Sequence, residues 1–135
     1  MILWNDQRYT PALRFGIAGD FLPAAGLAPA PGESWTECAE LVRPLFQDLA
    51  FSVANLECPV GVPGIPPKVK TSLGATFAAG VAALDYLGAL HASVVGIANN
   101  HLYDYGKAGA ERTLQNVIAR GKFSACGFGR SLADA

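Results

Sequence analysis

The sequence predicts an α/β domain with a mainly parallel sheet and flanking helices. Short β-compatible apolar runs alternate with segments of helical spacing, and three of the runs end in an acid or an acid amide. FGIAGD closes on Asp20, SVANLE on Glu57, and VVGIANNH on Asn99, Asn100 and His101. Alternation of this kind implies right-handed βαβ units. In such a sheet the ligand crevice lies beyond the carboxyl ends of the strands, so the three polar ends meet at one edge. A metal ion is the ligand that edge best suits.

The elements follow in order. Residues 1–12 mix aromatic and polar groups without periodicity and read as an irregular lead-in to a domain spanning 13–135. Leu13 to Gly19 is the first strand, bounded by Pro11 and Asp20. Leu22 to Gly32 is too rich in proline and glycine for ladder or helix and forms a loop. Ser34 and Glu37 frame a capping box. The helix they start carries Cys38, Leu41, Val42, Leu45, Phe46 and Leu49 toward the sheet, and Pro44 kinks or splits it near Arg43.

Phe51 to Leu56 is the second strand, closed by Glu57-Cys58-Pro59. A stiff loop runs to Pro67, and residues 68–77 offer a short extended piece or hairpin. Val81, Leu84, Leu87 and Leu90 mark a helix over 80–90. The continuous apolar run Ala92 to Ala98 then suits a strand covered on both faces. Lys107 to Arg120 repeats the helical logic with Ala110, Leu114, Val117 and Ile118 on one stripe and Gly121 as the stop. Phe123 to Gly127 is the fourth strand.

Composition narrows the function classes. With 135 residues and 51% hydrophobic content the chain has room for about one domain with a real core. Ten Lys and Arg against 11 Asp and Glu, with no charged block, leave no electrostatic footprint for nucleic acid or an anionic membrane. Cys38, Cys58 and Cys126 lack zinc or redox spacing and read as buried or half-buried thiols. No export signal is evident, and no window reaches the ~18 apolar residues of a membrane span, so the chain as written reads as cytoplasmic.

Asp20, Glu57 and Asn100 are hard oxygen donors suited to Mg²⁺ or Mn²⁺, and workable for Zn²⁺ or Fe when histidines join them. Acids gathered at one edge repel one another, which a cation resolves. His101 lies beside them as a proton donor, and Asp104 three residues on either orients its ring or caps the following helix. Together these residues describe metal-assisted hydrolysis. Asn99 takes a turn role, since asparagine tolerates left-handed geometry. His91 reads as a helix C-terminal residue favoured by the dipole. Lys68 and Lys70 face either an anionic substrate or solvent, and GFGR at 127–130 is too short for a nucleotide loop.

GD at 19–20, ANLECP at 54–59, ANNHLYDYG at 98–106, the G-x-x-x-T-L of 109–114 and GFGRSLADA at 127–135 resemble, in order, the CapA-type capsule synthesis proteins. These are also called poly-gamma-glutamate synthesis proteins and are similar to calcineurin-like metallophosphoesterases. The resemblance implies a four-layered metallophosphoesterase-like fold, Asp20, Glu57 and Asn100 as metal ligands, and His101 as acid. It also implies a role in making, anchoring or trimming an extracellular polymer, with capsule-synthesis partners and frequent export or membrane association.

Only His91 and His101 are present, so the histidine ligands of the family's second half are missing. The chain therefore matches an amino-terminal portion, with a carboxy-terminal half as a further expected partner. Three readings stay open: a metal-dependent hydrolase acting on a phosphoester in a small-molecule or polymer substrate, a scaffolding module that kept the fold without catalysis, and a nucleotide-binding α/β domain.

Overall fold

A computed structural model describes residues 13–24, 29–69, 74–120, 122–129, 131 and 133. The lead-in at 1–12, Lys70, the helix stop at Gly121, part of the 22–32 loop and part of the closing 127–135 motif lie outside them. Four strands, β1 (Phe15–Phe21), β2 (Phe51–Leu56), β3 (Ala92–Gly96) and β4 (Ser124–Cys126), form one sheet in the order β1-β2-β3-β4. All three pairings are parallel. The α/β class with a parallel sheet is thus the architecture observed.

Strands laid down in chain order with right-handed crossovers must send every connection over the same face. Burial agrees. Ser52, Ala54 and Leu56 of β2, with Ala92 and Val95 of β3, are buried. Ala54, Leu56, Ala92 and Val95 pack with Leu84 and Leu87 of α2 (Leu84–Ala89) and with Ala110 and Val117 of α3 (Gly106–Ala119) in one core cluster. Phe15 and Ile17, which alternate to the other face, are 50% and 64% exposed. Phe15 instead stacks on Phe51 at 5.3 Å along that open face. The open stretch belongs to β1; on β3 no residue is exposed, Ala92 and Val95 being buried and Ser93, Val94 and Gly96 half-buried.

The capping box forms as read. Ser34 Oγ accepts from Glu37 N at 3.1 Å, and Glu37 Oε2 accepts from Ser34 N at 2.7 Å. The Ser34 amide, and then its hydroxyl, hold the Glu37 carboxyl below the usual carboxylate value. α1 (Trp35–Glu40) is short, and a 3-10 turn (Arg43–Leu45) follows with Pro44 inside it, the split that a missing backbone donor requires. That split re-aims the apolar stripe. Leu41 is 87% and Leu45 55% exposed, whereas Ala39 and Phe46 are buried against Leu90.

Other expectations shift as well. The described part of 68–77 contains no strand; its neighbour Ala79 makes a single parallel bridge to Val60. A 3-10 turn (Val81–Ala83) opens the helix that becomes α2. On α3 the buried positions are Gly109, Ala110, Thr113 and Val117, while Ile118 is 58% exposed. Thr113 Oγ1 explains its own burial: it donates to Gly109 O at 2.8 Å and accepts from Val60 N at 3.2 Å. His91 follows α2 at φ 54 with its amide on Gly88 O, a left-handed helix exit. Cys58 is buried and Cys38 half-buried, but Cys126, expected to be covered, is exposed on β4.

Candidate metal centre and proton-transfer pair

β1 runs two residues beyond its expected end, and that extension places Asp20. A register shift between Ile17 and Asp20 pairs Asp20 with Asn55, and Phe21 with Leu56. Phe21 then turns to the helix side, stacked on Tyr86 at 5.0 Å and edge-on to Trp35 at 5.8 Å. Anchored this way, Asp20 projects at the carboxyl edge on the open side of the sheet. Glu57 continues the ladder through its amide on Phe21 O at 3.0 Å. Strand alternation sets its side chain on the same face as Asn55.

The two carboxylates meet on one amide. Asn55 Nδ2 donates to Asp20 Oδ1 at 2.8 Å and also to Glu57 Oε2. Asn55 was not among the residues singled out from the sequence, because it sits inside an apolar run. The available signal was period two: Asn55 precedes Glu57 by two positions and must share its face.

The turn after β3 supplies the second arm. Ile97 N on Cys126 O at 3.0 Å prolongs the ladder past Gly96. Asn99 Oδ1 then accepts from His101 N and from Leu102 N, each at 3.0 Å, a turn role made by its side-chain oxygen and not by the left-handed backbone expected of it. Its Nδ2 reaches Leu56 O at 2.8 Å and Asn55 Oδ1 at 3.2 Å. His101 Nδ1 lies 2.9 Å from Asp104 Oδ2, and the same oxygen accepts from Phe77 N at 2.8 Å. Asp104 is 1% exposed and faces His101, leaving Tyr105 as the N-cap of α3 without a side-chain cap bond. Phe77 packs its ring 4.7 Å from the imidazole.

Asp20, Glu57, Asn99, His101 and Asp104 are therefore gathered at one sheet edge, joined through Asn55 and Asn99. Asn100 belongs to the same turn but is exposed, and no hydrogen bond joins its side chain to Asp20 or Glu57. Lys68 stands nearby, its amide on Asp104 O at 2.7 Å and its ammonium 5.4 Å from the Tyr103 ring centroid. A separate cavity of about 230 Å³ opens on the helix side between Ala18, Phe46, Ala54, Tyr86 and Leu90, with Asp20 at its rim.

The family model for bacterial capsule synthesis protein PGA_cap matches residues 14–135. The chain belongs to this bacterial capsule synthesis family. No curated protein matches it. The family match spans the sheet, all three helices and both arms of the site. In this capsule synthesis domain, no helix among the described residues is long and apolar enough to cross a membrane.

Donor chemistry fits a hard divalent cation, since Asp20 and Glu57 offer carboxylate oxygens side by side. Among the described residues no group of three or more His, Cys, Asp or Glu is placed to hold a metal. Further ligands would thus be amide or water oxygens, the set that Mg²⁺ and Mn²⁺ accept.

Cys58 sits between the arms. Burial, then the Asp104 and Glu57 carboxylates, push its thiol from 9.0 up to about 12. The folded state therefore keeps a proton that the unfolded chain releases above pH 9.0. This contribution to stability is complete below that pH and is lost as pH rises toward 12, by at most about 1.4 kcal/mol per pH unit. Urea titrations from pH 7 to 11 should show a decline in stability that is shallower in Cys58→Ala. Equal slopes in the two proteins would refute it.

Proposed function

We propose that this capsule synthesis domain is a metal-dependent hydrolase acting on a phosphoester, in a small-molecule or polymer substrate of extracellular polymer metabolism. The observation that carries this reading is the convergence of Asp20 and Glu57 on Asn55 at the carboxyl edge of the sheet, with the His101–Asp104 pair tied to them through Asn99. Asp20 and Glu57, with Asn100 brought in from the exposed turn, would hold a Mn²⁺, Mg²⁺, Zn²⁺ or Fe ion. A bound divalent ion would supply Lewis acidity and a lowered pKa for water at that edge.

The chain's own residues supply the rest. With Nδ1 held against Asp104, His101 exchanges a proton through Nε2, and the ring orientation is set before substrate arrives. Phe77 closes one side of the imidazole and limits its access to water. Lys68, fastened by its backbone to the Asp104 carbonyl, brings a cation to the rim, where an anionic substrate would approach.

Mn²⁺ titration by calorimetry and hydrolysis of an aryl phosphate test the reading. Wild-type protein should bind Mn²⁺ and hydrolyse the ester only with the metal present. Asp20→Asn and Glu57→Gln should lose both with an unchanged far-UV spectrum. Mn²⁺ binding that survives both substitutions would sink the site assignment. The scaffolding reading has one observation in its favour, the lack of a three-member acid or histidine cluster among the described residues. It predicts no hydrolysis at any metal concentration.

A further inference from the structure

The direction of two side-chain amides at this edge can be deduced. Asn99 Oδ1 is committed to two backbone donors, His101 N and Leu102 N, and its Nδ2 to the Leu56 carbonyl. Turning that amide over would set Nδ2 against two N–H groups and Oδ1 against a carbonyl, so its orientation is fixed by the backbone. Asn99 therefore presents Nδ2 to Asn55, and Asn55 must answer with Oδ1. The donor end of Asn55 is then forced toward Asp20 and Glu57. Charge-assisted bonds from a single NH₂ draw the two acids together without neutralising them.

We infer that Asn55 and Asn99 form a positioning relay: Asn99, locked by the β3 turn, orients Asn55, and Asn55 holds Asp20 and Glu57 at the separation a divalent cation needs. Asn55 acts as a donor to the ligands and not as a ligand itself. The inference rests on the metal-centre reading above and adds what sets the geometry of that centre. It also ties the carboxylate pair to the backbone of His101, since Asn99 bonds both.

Mn²⁺ affinity of the full chain, measured by calorimetry, tests the relay. Outer-shell partners of metal ligands are worth about 10- to 100-fold in affinity. Asn55→Leu, of similar shape but without a donor, should weaken Mn²⁺ binding by about that factor while melting temperature changes little.

Asn99→Asp keeps the oxygen that caps the turn yet cannot donate to Asn55. It should weaken binding too, although its added negative charge alone would tighten it. The double variant should be no weaker than Asn55→Leu, because both changes cut one chain. If Asp20→Asn abolishes binding while Asn55→Leu and Asn99→Asp leave it unchanged, the relay is wrong and the metal site stands. If wild-type protein binds no Mn²⁺, the metal site is wrong and the relay falls with it.

Discussion

Replacing His101 by alanine is expected to lower kcat for aryl phosphate hydrolysis by about 10²- to 10⁴-fold, the usual range for a positioned general acid. Mn²⁺ affinity should be unaltered. The imidazole touches Asp104 and Phe77 but neither Asp20 nor Glu57, so its loss should remove the proposed proton donor and leave the proposed cation donors in place. Asp104→Asn is the more revealing companion. One oxygen, Oδ2, accepts from both His101 Nδ1 and Phe77 N, and an asparagine can present its single carbonyl oxygen there. The ring would stay oriented while the negative charge beside Nδ1 disappears. A smaller kcat loss than for His101→Ala is therefore expected. His101→Ala with wild-type kcat would exclude His101 from proton transfer, and equal losses in the two variants would mean that Asp104 acts through charge alone.

The edge proposed for this chemistry was legible because strand ends are marked by composition. Glu57 closes an apolar run immediately before a proline, and β2 has the bounds its pattern predicts. The His101–Asp104 contact follows from a spacing of three in a turn. Asn55 was hidden for the opposite reason: a lone amide in an apolar run gives no boundary signal. Only register turns it toward Asp20, and that register depends on a shift in β1 that single-chain periodicity does not encode.

Burial was misread where it depends on partners and not on spacing. Leu41 and Ile118 fit helical stripes but point outward, because Pro44 breaks α1 early and because Thr113, bonded to Val60 N, occupies the buried side of α3. The apolar run of β3 suggested cover on both faces. No residue of β3 is in fact exposed, and the open stretch of the sheet is on β1, at Phe15 and Ile17.

Gly127→Ala is expected to be strongly destabilising. Gly127 follows β4 at φ +94, a conformation that costs a side-chain-bearing residue roughly 1–2 kcal/mol. A Cβ there would stand 2.5 Å from Ala98 Cβ, 3.0 Å from Ala98 N and 3.3 Å from Ala98 Cα. Two of these atoms are backbone, so no rotamer change relieves the clash. Overpacking of this kind adds about 1–3 kcal/mol. The sum, about 2–5 kcal/mol, corresponds to a fall in melting temperature of roughly 10–20 °C for a domain of this size.

The damage should also reach function, since Ala98 immediately precedes Asn99, whose side chain joins the Asn55 amide to the His101 turn. Displacing Ala98 moves that turn relative to β2. Calorimetric melting together with Mn²⁺ titration of Gly127→Ala checks both consequences. A variant that melts with the wild type shows that Ala98 yields freely, and one that melts early but binds Mn²⁺ normally shows that the turn keeps its place.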